Sequence, residues 1–222
     1  RTRQALKDRQ AVACYHPLRP EDPLILVEVA RTKEIPTSIQ NIITMDREET
    51  SLDEINTAVF YSISNCQDGL SGISFGNFLI KKVAHKLKQE IQGLNTFVTL
   101  SPVPGLMKWM ENNAPLVYEN CLNNISDDEG LIKKTLSYLT ESNREDLMPN
   151  DPVARFHLGN GAILHKINLN ADLSSKGMEQ SHGVMINYLY DLSVVERNHE
   201  QFFKDKKVIL SNEIKSLKKK YS

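Results

Sequence analysis

The chain has 222 residues, of which 40% are hydrophobic and 25% are charged, as in an ordinary globular protein with a buried core. Its 27 Lys and Arg residues nearly balance its 28 Asp and Glu residues, so the formal net charge is -1. This balance argues against nucleic acid or an anionic membrane as a partner of the whole chain. Any attraction for a polyanionic ligand must therefore be local.

The cysteines and the first residues bear on the compartment of the protein. Cys14, Cys66 and Cys121 are scattered and form no Cys-x-x-Cys pair. This spacing argues against a zinc ribbon or a disulfide framework and favours reduced thiols. No apolar run reaches the roughly 18–20 residues of a membrane span. Residues 1–9 are charged and lack the apolar core of a signal peptide, so they predict a charged helical segment.

The first half of the chain predicts three strands and two helices. Short apolar, β-branched runs that are typical of buried strands occupy residues 24–30, 57–64 and 97–100. A short helical stretch is predicted at 38–43. Between the second and third strands, apolar residues recur every three or four positions over 79–91, which predicts an amphipathic helix.

The second half alternates helical and strand patterns. Residues 109–150 are polar with a helical character, and Ser126 with Glu129 predicts a capping box at the start of a helix. Two further strands and a final helix are predicted at 162–169, at 184–190 and around Ile214. Strands that alternate with helices in this way predict an α/β domain with a partly parallel sheet.

A glycine-spaced loop, residues 67–77, joins the second strand to the amphipathic helix. Glycine lacks a Cβ atom, so the backbone can turn sharply and approach a ligand closely. The first N–H groups of the following helix carry the positive end of its dipole, which suits a phosphate or pyrophosphate, and Lys81 and Lys82 could add positive charge. Neither the Walker pattern nor Gly-x-Gly-x-x-Gly is present, so a plain strand-to-helix turn is equally compatible with these residues.

Two side chains are candidates for chemistry. Ser101 ends the third strand, at the sheet edge where ligands of α/β proteins gather, and Pro102 disfavours helical geometry there. No Gly-x-Ser-x-Gly surrounds it, so these residues alone favour an ordinary turn serine. His157 lies in a predicted loop, where histidine can act as an acid or a base, with a packed or surface histidine as the alternative. None of the six histidines has the spacing of a metal ligand.

Taken together, these segments resemble the malonyl-CoA decarboxylase family, in the same order and over nearly the whole chain. The segments that carry the resemblance are residues 16–29, 39–40, 60–64, 67–82, 100–105 with Trp109, 152–162 and 183–192.

The resemblance implies a fold, a site and a reaction. The implied fold is the α/β fold of the GCN5-related acetyltransferases (GNAT), a mixed sheet flanked by helices, with residues 1–222 as one catalytic domain. The implied catalytic residues are Ser101 and His157. The implied loop for the pyrophosphate of coenzyme A consists of Ser71, Gly72, Ile73, Ser74, Phe75, Gly76 and Asn77.

The implied reaction converts malonyl-CoA to acetyl-CoA and CO2 through an enolate of the thioester. A histidine that titrates near neutrality, His157, would protonate the enolate with the assistance of Ser101. No metal or organic cofactor is expected, because coenzyme A is part of the substrate.

The chain also departs from the family pattern. Family members carry an additional N-terminal helical domain that supports oligomerisation, so we expect this chain to begin at or just before the catalytic domain and any homo-oligomer to be weakened. The segment 110–150 is shorter than expected, and a helix that normally precedes residues 151–157 is expected to be missing. Ser71 stands where the acetyltransferase superfamily often has Gln or Arg, which would weaken one phosphate contact.

Two other functions are compatible with the sequence. A GNAT-type acyltransferase would need an acceptor site and a base for an amine, and the sequence identifies neither. A decayed module that only binds coenzyme A is favoured by the shortened middle and opposed by the retention of Ser101 and His157. Because the chain does not end in Ser-Lys-Leu, we expect a cytoplasmic protein, or a mitochondrial one if a transit peptide has been removed.

Overall fold

The computed structural model describes residues 8–16, 19–44, 51–66, 76–142 and 144–221. The strands are β1 (Arg9–His16), β2 (Arg19–Thr32), β3 (Thr57–Asn65), β4 (Thr96–Thr99), β5 (Ser101–Pro102), β6 (Ile163–Asn168) and β7 (Met185–Leu189). The helices are α1 (Gln40–Ile43), α2 (Gly76–Glu90), α3 (Leu106–Asn113), α4 (Pro115–Leu122), α5 (Asp128–Thr140), α6 (Pro152–Gly159), α7 (Ser175–Ser181), α8 (Val195–Asp205) and α9 (Asn212–Tyr221). A 3-10 turn covers Leu52–Glu54.

A single mixed sheet joins the seven strands of the described ranges. The strand order is β1-β2-β3-β4-β7-β5, and β6 pairs with β7. β3 and β4 are parallel, and every other pair in the sheet is antiparallel. The predicted α/β class, with a mixed sheet flanked by helices, is confirmed.

The predicted amphipathic helix is α2, which buries Ile80, Val83, Ala84 and Leu87 on one face. These positions are three and four residues apart, so their side chains share one stripe along the helix. They belong to the same core cluster as Phe97 of β4. Burying a valine, leucine or isoleucine side chain contributes about 1.5–3 kcal/mol, which is why the helix lies against the sheet.

The predicted helix at residues 1–9 is wrong where the structure describes it. Asp8 lies in a turn and Arg9 begins β1, which pairs antiparallel with β2, while residues 1–7 lie outside the described residues. The guanidinium group of Arg9 is buried and donates to the carbonyl oxygens of Ile42 and Thr44. Pairing with β2 and these distant contacts decide the strand, and neither is visible in the local charge pattern.

The predicted capping box at the start of α5 is also wrong. The N-cap is Asp127, whose carboxylate accepts the backbone N–H of Gly130 at 3.0 Å. A charged oxygen at the N-cap also interacts favourably with the positive end of the helix dipole. The helix therefore begins one residue after the position that Ser126 would require.

The parallel strands β3 and β4 part at their carboxyl ends. Their pairing ends at Phe60 and Thr99, and the N–H of Leu100 donates to the Phe60 carbonyl at 3.2 Å. Beyond this point β3 stays with β2, whereas Ser101 pairs with Ile186 of β7. The divergence opens a gap at the sheet edge where ligands of α/β proteins bind.

None of the helices that the structure describes is both long enough and apolar enough to cross a membrane.

Candidate active site

A cavity of about 380 Å³ lies where β3 and β4 part. Its walls come from β3, from the β4–β5 segment and from α6, and Ser101 and His157 lie among the lining residues. The apolar side chains of the wall are Phe60, Ile63, Leu100, Pro102, Pro152, Val153 and Phe156. A mostly apolar wall with a few placed polar groups is typical of a small-molecule site.

The structure brings Ser101 and His157 together, although they are 56 residues apart in the chain. Ser101 Oγ lies 3.0 Å from His157 Nε2 and 2.9 Å from Thr99 Oγ1. Ser101 is 5% exposed and His157 is 4% exposed, so their contact is largely shielded from water. A hydroxyl and an imidazole at this distance can exchange a proton with each other or with a ligand in the cavity.

Helix α6, rather than a loop, carries His157, so the predicted loop position is wrong. Asp151 caps the helix, because its Oδ2 accepts the backbone N–H of Ala154 at 2.6 Å, and Pro152 occupies the first helical position. His157 lies in the last turn of this short helix. Burial raises the pKa of the Asp151 carboxyl group to about 6, with backbone hydrogen bonds opposing this effect.

Two tyrosines contact the imidazole of His157. Tyr190 Oη lies 2.9 Å from Nδ1, and the ring of Tyr188 stacks on the imidazole with centroids 4.7 Å apart and planes 24° apart. Sequence reasoning placed Tyr188 and Tyr190 in a strand and gave them no role. The available signal was their spacing of two, since alternate residues of a strand point to the same face.

Burial lowers the pKa of His157 to about 3. The imidazole is therefore neutral at pH 7 in the unliganded protein, and the expectation that it titrates near neutrality is wrong for this state. The physical reason is desolvation, because an imidazolium ion here would lose its hydration. A negative charge brought into the cavity by a ligand would raise this pKa again.

The predicted pyrophosphate loop lies mostly outside the described residues. This holds for Ser71, Gly72, Ile73, Ser74 and Phe75, whereas the backbone of Gly76 and Asn77 forms the start of α2. The helix that was predicted to follow the loop is thus present. The phosphate contact itself stays a prediction. Lys81, predicted to add positive charge nearby, pairs with Glu196 at 2.7 Å.

Within the described ranges, no group of three or more His, Cys, Asp or Glu side chains is arranged to hold a metal ion.

Comparison with known proteins identifies the family. The family model of the malonyl-CoA decarboxylase C-terminal domain matches residues 1–136 and 124–222. The chain belongs to the malonyl-CoA decarboxylase family. The mitochondrial malonyl-CoA decarboxylase of Rattus norvegicus is 32% identical over 247 residues, which cover 92% of this chain and 50% of that protein.

Solved malonyl-CoA decarboxylases share the fold. The enzyme of Rhodopseudomonas palustris has a TM-score of 0.89 at 40% identity, over 97% of this chain and 54% of its own. The enzyme of Agrobacterium vitis has a TM-score of 0.88 at 42% identity, over 97% of this chain and 58% of its own. The family resemblance seen in the sequence is confirmed. The chain spans about half the length of the curated relatives it matches.

Proposed function

We propose that this chain decarboxylates malonyl-CoA to acetyl-CoA and CO2. The observation that supports this proposal most directly is the contact of 3.0 Å between Ser101 Oγ and His157 Nε2 at an apolar cavity, in a chain of the malonyl-CoA decarboxylase family. The rat relative and the two solved bacterial neighbours described above are malonyl-CoA decarboxylases. The pair also suits the reaction chemically, since decarboxylation needs a donor near the thioester and a proton for the product carbon.

In the first step, the bond between C2 and the carboxylate carbon of the malonyl group breaks and CO2 leaves. The electron pair stays on C2 and is shared with the thioester oxygen as an enolate. Ser101 is placed to donate a hydrogen bond to the reacting malonyl group, and preorganised donors of this kind are usually the largest catalytic contribution. The apolar wall hydrates the departing carboxylate less than water does, which favours the loss of its charge.

In the second step, His157 protonates C2 of the enolate. The reaction consumes one proton for each CO2 released, and the neutral imidazole of the free protein must first take this proton up. Binding of the substrate favours this uptake, because the negative charge of its carboxylate in the cavity raises the pKa of His157. Nε2 then gives its proton to C2, and a positioned proton donor of this kind contributes about 10²–10⁴-fold in rate.

The remaining parts of the proposal concern the ligand and its setting. We assign the pyrophosphate of coenzyme A to residues 71–77, ahead of α2, and the reaction as written uses no metal or organic cofactor. We place the protein in the cytoplasm, with the mitochondrion as the alternative because the rat relative is named a mitochondrial enzyme. Self-association into a homo-oligomer, with malonyl-CoA as the small-molecule partner, belongs to the same proposal.

The other two functions gain less support. The buried contact between Ser101 and His157 opposes a decayed module that only binds coenzyme A, because such a module has no need to keep it. No contact among the described residues favours an acyltransferase.

The test follows CO2 release and acetyl-CoA formation from malonyl-CoA. His157→Ala should lower kcat by at least about 100-fold, and Ser101→Ala by about 10- to 100-fold. His85→Ala is the matched control, because His85 is an exposed histidine of α2, and it should keep the parental rate. Thermal shift with coenzyme A checks that the variants still bind the ligand.

Two results would contradict the proposal in different ways. Near-parental turnover in both His157→Ala and Ser101→Ala would show that the site is elsewhere. Stabilisation of the unsubstituted protein by malonyl-CoA without any CO2 release would support the binding module instead.

A further inference from the structure

The ring of Phe156 connects His157 to the apolar wall of the cavity. It contacts the imidazole in a T-shaped arrangement, with centroids 5.0 Å apart and planes 78° apart. Tyr188 and Tyr190 also contact the imidazole, but among the described residues only the ring of Phe156 both contacts it and lines the cavity. Phe156 is therefore the aromatic side chain that a ligand meets beside the reacting nitrogen.

The spacing of residues along α6 explains why this wall and the histidine share one cavity. Pro152, Val153, Phe156 and His157 all line it. Side chains three and four residues apart are neighbours on a helix, so Val153 adjoins both Phe156 and His157. Val153 and Phe156 are half-buried, whereas His157 is buried, so the wall extends from the imidazole toward solvent. An acyl group that reaches His157 therefore lies along this wall.

The wall selects a substrate by size rather than by charge. Among the described residues that line the cavity, none is a lysine or an arginine, so none can form an ion pair with the malonyl carboxylate. Discrimination between short malonyl-type thioesters then depends on how well the acyl group fits the apolar side chains. In an apolar pocket, one extra methylene group changes kcat/KM by about 10- to 200-fold.

The proposed proton transfer brings C2 of the acyl group close to Phe156. Reacting atoms lie about 3–3.5 Å apart before they react, so C2 lies at this distance from His157 Nε2. Because the ring of Phe156 borders the same imidazole on the cavity side, it also borders a substituent on C2. Malonyl-CoA carries only hydrogen atoms there, whereas methylmalonyl-CoA carries a methyl group.

We propose that Phe156 is a specificity-determining residue that restricts the site to malonyl thioesters without a branch at C2. Its effect on turnover rests on the proposed decarboxylase function. With methylmalonyl-CoA, the same bond between C2 and the carboxylate carbon breaks, CO2 leaves, and one proton added to C2 gives propionyl-CoA. The ring hinders this reaction, because the extra methyl group has to displace a side chain that is packed against His157.

The kinetic test compares kcat/KM for malonyl-CoA and for racemic methylmalonyl-CoA. The unsubstituted chain should favour malonyl-CoA by about 10- to 200-fold. Phe156→Leu and Phe156→Ala make progressively more room, so this preference should fall by about tenfold or more. The ratio of the two values is decisive, because a merely structural loss of the contact with His157 would lower both values equally and leave the preference unchanged.

Phe203→Leu and Phe203→Ala are the matched controls. Phe203 lies in α8, is 45% exposed and is not among the residues that line the cavity. Both variants should keep the parental kcat/KM for each substrate. An unchanged preference in both Phe156 variants would overturn the proposal, and so would equal kcat/KM values for the two substrates in the unsubstituted chain.

A binding test separates this proposal from the decarboxylase function. Propionyl-CoA and isobutyryl-CoA carry a methyl group in place of the carboxylate of malonyl-CoA and methylmalonyl-CoA, so neither can release CO2. Titration calorimetry should show that the unsubstituted chain binds propionyl-CoA more tightly, with a smaller difference in Phe156→Leu. Equal affinities in the unsubstituted chain would overturn the proposal. If that chain releases no CO2 from malonyl-CoA, the proposed function fails, whereas these affinities still decide the role of Phe156.

Discussion

The cavity and the outer surface of α2 both carry ionisable side chains, and they differ in how water reaches them. In the cavity, Ser101 and His157 are buried and have polar neighbours at 2.9–3.0 Å. On the α2 surface, Lys81 pairs at 2.7 Å with Glu196; the lysine side chain is 14% exposed, whereas that of Glu196 is 71% exposed. Solvent screens the second pair, whereas little water competes with the contacts of the first.

The histidines of the two regions, His157 and His85, show the consequence for acid–base chemistry. His157 is buried, and desolvation lowers its pKa to about 3. His85, on α2, is exposed, as its place on the polar face of the helix predicts. His85, near the predicted coenzyme loop, is thus a weaker candidate for chemistry than His157, both of whose ring nitrogens have hydrogen-bonding partners. The following predictions test this contrast, beginning with the largest effect.

Lowering the pH should decrease the free energy of unfolding, because the folded protein keeps His157 neutral. The unfolded chain takes up a proton on this residue near the ordinary pKa of 6.5, whereas the folded chain does so only near 3. Its contribution to stability is therefore present above pH 6.5 and is lost as the pH falls toward 3. Between pH 7 and pH 5, the free energy of unfolding should fall by about 2 kcal/mol more in the parental chain than in His157→Gln.

Urea unfolding at both pH values measures this difference. Asp151 acts in the opposite sense, because burial raises its pKa from 3.8 to about 6. Its contribution is present below pH 3.8 and is lost as the pH rises through 6, but it is common to both proteins and cancels. An identical pH dependence of the two proteins would show that His157 is hydrated in the folded state.

Removing the hydroxyl group of Tyr190 should leave the imidazole of His157 less well positioned. Tyr190→Phe keeps the ring and loses the contact with Nδ1, so we expect kcat to fall about tenfold, the equivalent of one ordinary hydrogen bond. The measurement is malonyl-CoA turnover at saturating substrate. Tyr118→Phe is the control, because Tyr118 lies on α4 and is not among the residues that line the cavity. A parental rate for Tyr190→Phe would limit the site to Ser101 and His157.

The cap of α5 should show an intermediate effect, since Asp127 is only half-buried. Asp127→Ala removes the acceptor of the Gly130 N–H and should lower the free energy of unfolding by about 1 kcal/mol. Ser126→Ala, at the neighbouring position that the sequence pattern favoured, should leave it unchanged. Urea unfolding measures the free energy of unfolding of the two variants. A larger decrease for Ser126→Ala than for Asp127→Ala would support the predicted capping box.

The ion pair on the α2 surface should show the smallest effect. Glu196→Gln removes the charge that pairs with Lys81, and an ion pair whose carboxylate is 71% exposed contributes about 0–1 kcal/mol. We expect the free energy of unfolding to change by less than about 0.5 kcal/mol, and less still at high salt. A decrease in the free energy of unfolding as large as that of Asp127→Ala would show that solvent does not screen this pair. The α2 surface and the cavity would then not differ in the way described above.

The strands and helices with a regular local pattern were predictable. The run at residues 24–30 lies within β2, the run at 57–64 forms most of β3, and the apolar repeat over 79–91 matches α2 with little error. Each of these patterns is a consequence of which face an element buries. The strand β1 was missed, because its place in the sheet depends on pairing with β2.

The candidate site was predictable only in part. Ser101 and His157 were named through the family resemblance, and the structure brings them into contact. Thr99 and Tyr190 were missed, because an ordinary strand threonine and tyrosine carry no local signal of a hydrogen bond to a distant residue. The substrate loop at residues 71–77 stays a prediction for its phosphate contacts.

The α/β class, the order of the main elements and the family were all predictable before folding was considered, because they follow from residue periodicity and from motifs contiguous in the chain. Three features of the site became visible only in the folded chain: His157 of α6 contacts Ser101, Tyr188 and Tyr190 contact the imidazole, and the imidazole is neutral at pH 7. The physical reason is that contact and desolvation depend on what other segments bring to a side chain. No local pattern of residues contains that information.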